Sequence, residues 1–215
     1  MKFVIVSPKV SDINQVSAIN LGRVSNDVKR PSGRHHGDLR RVLEEAALEL
    51  VAEGGPKACT LAEVSRRAGV SVAAPYKHFA DRDALLAALV QQGYAEQRDR
   101  YITAMKRKVG PAEQLAAFAR AYVEFAAERR PMFELTFAAG LDKTKYPELL
   151  KAGAELFEVP REPARKLRDT EAGSRDLVIA VAAVAHGLAV FVLEGVLLNV
   201  SQAKDLAASS AHAIV

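Results

Sequence analysis

Between Thr60 and Phe79 the sequence leaves room for two short helices joined by a tight turn, and for little else. Thr60-Leu-Ala-Glu63 has the form of a capping box, in which the threonine hydroxyl accepts from the amide of Glu63 and the glutamate reaches back to the cap. Gly69 stops the first helix, since glycine takes the positive φ that such a turn needs. Ala68 beside it is small enough to let two helices approach. Ser71 can cap a second helix running to about Phe79. Val64, Val70 and Phe79 would pack the pair onto its neighbours, which leaves the outer face of the second helix with no core to meet.

The flanking segments supply those neighbours. Leu39, Val42, Leu43, Ala46, Ala47, Leu50 and Val51 recur at the spacing of one buried helix face. Gly54-Gly55-Pro56 ends that helix. Asp81 caps a long helix to about Lys106, with Leu85, Leu86, Leu89 and Val90 on its apolar side. Further helices are expected over 112–129, 132–139, 147–157, a proline-interrupted stretch to 167, 175–200 and from 203 onward. No sustained period-two alternation occurs, so the fold class is all-α. Residues 1–36 are polar and turn-rich, and are expected to form a flexible extension ending in a basic arm. A domain over 37–97 and a second helical domain over 98–215 follow.

Two short helices joined through a glycine turn form a helix-turn-helix, whose second helix can enter a DNA major groove. Charge agrees with that use. Up to Lys108 there are 18 Lys and Arg against 12 Asp and Glu, and from Val109 onward 12 against 14. The basic excess lies where a polyanion would be met. The single cysteine, Cys59, excludes an internal disulfide and multi-cysteine metal sites. The first residues hold only a four-residue apolar run, too short for a signal-peptide core, so a cytoplasmic protein is expected.

The run TLAEVSRRAGVSVAAPYKHFADRDALL, preceded by HHGDLRRVLEEAALELVAEGG, resembles the TetR family of transcriptional regulators. Its capped helix, Ala-Gly-Val-Ser, Tyr-x-His-Phe and acidic-capped following helix appear in the family's order over about sixty residues. The resemblance implies phosphate contacts from Thr60, Tyr76 and Lys77, with His78 at the phosphate edge and Ser71 at the helix start. It implies base reading near Val72, Ala73 and Ala74. Hydroxyl and ammonium groups donate well to phosphate oxygens, whereas valine and alanine offer only apolar contact, for instance to thymine methyls. Pro75 disfavours helical geometry at Ala74 and removes an amide, so the second helix is expected to start late or tilt. Taken without that ordered pattern, Tyr76 and Phe79 could both be core aromatics of a four-helix bundle, with Lys77 and His78 merely solvated. Arg34, His35 and His36 form either an arm on phosphates or an idle tail, and no third ligand makes the histidine pair a metal site.

In this family the C-terminal helices form an effector cavity and a dimer interface. Phe118, Tyr122 and Phe125 share one helix face, Met132, Phe133 and Phe137 follow on the next, and Leu156 and Phe157 lie on a later one. Such a cluster suits an apolar cavity and an ordinary core alike. Ala185-His186-Gly187 resembles a His-Gly signature of one branch of these regulators, with Ala185 where that branch often has tryptophan. His186 is either a satisfied core histidine or a polar anchor for an effector. The apolar run from Leu177 to Val200 is long enough for a bilayer. Its alanine content, its glutamate and the missing basic flank favour burial between subunits of a homodimer instead.

The chain carries no glycine-rich phosphate loop, no His-Glu-x-x-His and no Gly-x-Ser-x-Gly. An enzyme is therefore not expected, nor a cofactor or metal. The expected function is a ligand-responsive dimeric repressor, released from a double-stranded DNA operator by a small hydrophobic effector.

Overall fold

The computed structural model describes residues 36–138, 140–197 and 199–215. The expected N-terminal extension lies outside the described residues except at His36. Among those residues the chain forms eight α-helices and no strand: α1 (His36–Gly54), α2 (Leu61–Ala68), α3 (Arg82–Lys106), α4 (Pro111–Glu128), α5 (Arg130–Ala138), α6 (Pro147–Arg165), α7 (Glu171–Leu193) and α8 (Val200–Ile214).

The local rules hold at the start of the fold. Leu43, Ala46, Ala47, Leu50 and Val51 bury one face of α1. Gly55 leaves the helix at φ 71°, and a 3-10 turn over Pro56–Ala58 leads to α2. Thr60 Oγ1 accepts from the Glu63 amide at 3.2 Å, which caps α2. Glu63 does not complete the box. Its carboxylate takes the Arg66 guanidinium, one turn further along the helix. Gly69 closes α2 in the left-handed region, at φ 66° and ψ 33°. Arg67 ties α2 to α1 by a two-pronged pair with Glu53, both contacts 2.6 Å.

The second short helix differs from its expectation. Residues 71–80 form turns and a 3-10 turn over Pro75–Lys77 rather than an α-helix. Pro75 is the reason, though not by displacing Ala74, which sits in the right-handed helical region (φ −63°, ψ −42°). An α-helix would give the Ser71 carbonyl to the amide of residue 75, and proline has none. The Ala74 amide takes that carbonyl at 2.9 Å, and the Lys77 and His78 amides repeat the tighter pattern onto Ala74 and Pro75.

Asp81 Oδ1 accepts from the Ala84 amide at 2.7 Å and starts α3. This helix buries Leu85, Leu86, Leu89 and Val90 under the helix-turn-helix and then, past Gly93, buries Tyr94, Gln97, Tyr101 and Met105 among the later helices. Around it α4 packs on α3, α6, α7 and α8, while α5 bridges α1 and α3. Gly93 allows that approach, since a Cβ there would lie 2.8 Å from Met132 Sδ. The proline-interrupted stretch is one continuous helix, α6, with Pro160 and Pro163 both buried inside it. Burial of the two rings offsets the lost amides. The apolar run ends at Leu193, where Gly195 turns the chain at φ 71°, rather than at Val200.

Candidate nucleic-acid interface and ligand cavity

Thr60, Ser71, Val72, Ala73, Tyr76 and Lys77 share exposure to solvent on and before the 3-10 turn, with Val72 62% and Tyr76 58% exposed. Lys77 makes no ion pair among the described residues, whereas Arg66 and Arg67 are both engaged by glutamates. The Arg67 guanidinium beside Glu53 holds that carboxyl below its usual range. Arg67 therefore braces α2 against α1 and Arg66 is held within α2, whereas the Lys77 ammonium is open to solvent.

Two residues of the expected set sit differently. Ala74 is buried, because its helical φ and ψ turn its methyl inward beside Pro75, so it has no side chain to offer a base. His78 is half-buried, and its Nε2 is buried with no hydrogen-bond partner among the described residues. That nitrogen faces the protein rather than a phosphate edge. Phe79 behind it is core, with the Arg40 guanidinium 4.9 Å above its ring.

A cavity of about 370 Å³ is enclosed by residues of α3, α4, α5 and α6. Tyr94, Gln97 and Tyr101 from α3 form one wall, Phe118 and Tyr122 from α4 another, and Thr136 and Phe137 from α5 a third. Leu149, Leu150, Gly153, Ala154, Leu156 and Phe157 close it from α6. Of the seven residues expected to bind an effector, Phe118, Tyr122 and Phe137 line this space. Phe125, Met132, Phe133 and His186 do not. Phe125 is fully buried beneath the Arg100 guanidinium, and Met132 fills the contact with Gly93.

His186 stands directly behind the wall. Its Nδ1 is hydrogen-bonded to the Tyr122 hydroxyl at 3.1 Å, and Phe137 and Phe133 lie 4.6 and 5.5 Å from its ring. Burial holds its pKa below the ordinary imidazole value, so it is neutral at pH 7. Burial likewise raises the Tyr101 and Tyr122 phenols, which stay protonated. The α3 contribution was missed in sequence. Its signal was Tyr94, Gln97 and Tyr101 at spacings of three and four, which sets one amide between two tyrosines on a single helix face.

A family model described as bacterial regulatory proteins of the tetR family matches residues 43–89, and one for a tetracyclin repressor-like C-terminal domain matches 115–215. The HTH-type transcriptional regulator BetI of Rhizobium meliloti is 34% identical over 90 residues, which are 42% of this chain and 43% of that protein. The chain thus matches less than half the length of this curated relative. A Rhodococcus sp. RHA1 protein of unknown function superposes with a TM-score of 0.71 at 27% identity, covering 85% of this chain and 97% of the other. The fatty acid degradation regulator FadR of Bacillus halodurans shares the fold, with a TM-score of 0.67 at 16% identity over 83% of this chain and 97% of its own. The two family models together span about two thirds of the sequence, one on each side of the junction that α3 bridges. The chain belongs to the TetR family of bacterial regulatory proteins: it is a transcriptional regulator with a helix-turn-helix DNA-binding domain, not an enzyme.

Proposed function

We propose that the protein is a cytoplasmic, dimeric repressor that leaves its operator when a small hydrophobic molecule fills the cavity. The observation that carries this reading is the course of α3. One continuous helix begins under the helix-turn-helix at Arg82 and forms a cavity wall at Tyr94, Gln97 and Tyr101. A ligand that fits the cavity better in one setting of α3 than in another shifts the balance between DNA-binding and released states.

On this reading residues 37–97 hold the DNA and 98–215 hold the effector and the partner subunit. Thr60, Tyr76 and Lys77 clamp phosphates, and Val72 and Ala73 face the bases. The dimer face is built by α7 and α8, where Ile179, Phe191 and Leu206 are each about half exposed. By length and composition α7 could cross a membrane, but it packs on α4, α6 and α8, and a second copy would cover its open apolar side.

Selection of bound sequences from a random double-stranded DNA pool tests the proposal. A pseudo-palindrome with half-sites one helical turn apart, bound less tightly as salt rises, is the expected result. Absence of an enriched palindrome overturns it.

A further inference from the structure

The cavity wall carries one polar group that its own packing leaves unused. Gln97 is 1% exposed, and its Oε1 accepts from the Tyr101 hydroxyl at 3.1 Å. Its Nε2 is buried with no hydrogen-bond partner among the described residues. None of the neighbouring hydroxyl oxygens accepts from it among the described residues, and their own bonds run elsewhere. Tyr94 donates to the Thr136 carbonyl at 3.4 Å, Thr136 to the Phe133 carbonyl at 2.8 Å, and Tyr122 is paired with His186.

Apart from Gln97, the Thr136 hydroxyl and the tyrosine hydroxyls the lining is apolar, and no Lys, Arg, Asp or Glu belongs to it. A carboxylate would enter without a cation to meet it, and an amine without an anion, so either would lose its hydration for nothing. A pure hydrocarbon would seal the Gln97 amide away from every acceptor. Phe137, Leu150 and Phe157 line the space yet stay 54, 52 and 39% exposed, which places them at its mouth and gives a ligand apolar surface to cover.

We propose that the cavity takes a neutral, largely aromatic or aliphatic molecule with a carbonyl or equivalent acceptor oxygen, which accepts from Nε2 of Gln97. The inference rests on the reading of this cavity as the effector site. Gln97 is then the specificity-determining residue, and the aromatic walls supply affinity without discrimination.

Calorimetry and melting shifts with matched probes test it: benzophenone against diphenylmethane, acetophenone against ethylbenzene, and diphenylacetate as the carboxylate. Each ketone is expected to bind about tenfold tighter than its hydrocarbon, with diphenylacetate weaker than benzophenone. Gln97→Leu is expected to abolish the ketone preference while keeping the hydrocarbons. The carbonyl stretch of bound benzophenone should fall in frequency in the wild type and not in the variant, and the wild-type comparison stands even where the variant folds poorly. Equal affinity within each pair, a preference for the carboxylate, or a preference that survives Gln97→Leu overturns the proposal while leaving an effector cavity in place. Failure of every probe to bind removes the cavity reading itself, and this inference with it.

Discussion

Arg82 Nε donates to the carbonyl oxygen of Cys59 at 2.8 Å, reaching back 23 residues from the first turn of α3 to the strap that precedes α2. The same guanidinium donates through Nη2 to the Pro56 carbonyl at 2.7 Å. These two charge-assisted bonds tie the turn before α2 to the start of α3, beside the apolar packing of Leu85, Leu86 and Leu89.

Arg82→Ala is expected to cost about 2 kcal/mol in urea unfolding, from loss of charge-assisted bonds to half-buried carbonyls. Arg82→Lys should recover little of this, since one ammonium cannot span both acceptors. A variant as stable as the wild type would show the clasp to be dispensable.

Lys77→Ala should leave stability within about 0.5 kcal/mol, because the side chain is exposed and unpaired in the fold. Its affinity for operator should fall and its log–log salt slope flatten by about 1, the signature of one lost phosphate contact. Tyr76→Phe should weaken binding at every salt concentration with little change in slope. Anisotropy titrations on a labelled operator distinguish the two, and unaltered binding in both would remove them from the interface.

Cys59 is fully buried, and burial pushes its thiol up to about 11. It is therefore a thiol at neutral pH and a poor nucleophile. Labelling with a disulfide reagent should be negligible in the folded protein and complete in denaturant. Rapid labelling under native conditions would instead mark the residue as accessible for redox chemistry.

His186 links acidity to stability in a definite direction. Its folded pKa is depressed below 6.5 by burial, so the unfolded chain takes up a proton that the folded chain resists. The stability it supports is present above pH 6.5 and is lost as pH falls toward the folded value. Against His186→Gln, the wild type should lose more stability between pH 7 and 5 in matched urea titrations. The carboxylates held low by arginines titrate in both proteins and cancel. Parallel losses would show that the imidazole charges without strain.

Where short-range chemistry decides, the sequence was readable. The Thr60 and Asp81 caps, the left-handed Gly69 and the buried face of α1 each follow from residues within one or two turns. Glu63 was less so, because Arg66 competes for its carboxylate, and a side chain with two local options cannot be assigned from spacing. Pro75 was read correctly as a disturbance, but its effect on the hydrogen-bond pattern, and the inward turn of Ala74, needed the backbone. Pro160 and Pro163 break a helix by local rules, yet α6 runs through both because its neighbours bury them. In the cavity, Phe118 and Tyr122 could be seen on one helix face, whereas Phe125 on the same face points into solid core. Which turn of α4 meets empty space depends on α3 and α6, and those positions lie far away in sequence.

The unbroken run of α3 also has a mechanical meaning. From Gln97 at the cavity to Arg82 under the helix-turn-helix is fifteen residues, or about 22 Å at the rise of an α-helix. A stiff rod of that length converts angle into distance. A tilt of about 10° at the cavity end sweeps the far end through roughly 4 Å, more than a hydrogen bond to a phosphate can stretch. In a two-fold dimer the two sweeps are related by symmetry, so each half-site would lose its register in the same instant. On the function proposed above, a ligand would need to wedge the helix by only a small angle for the lever to act.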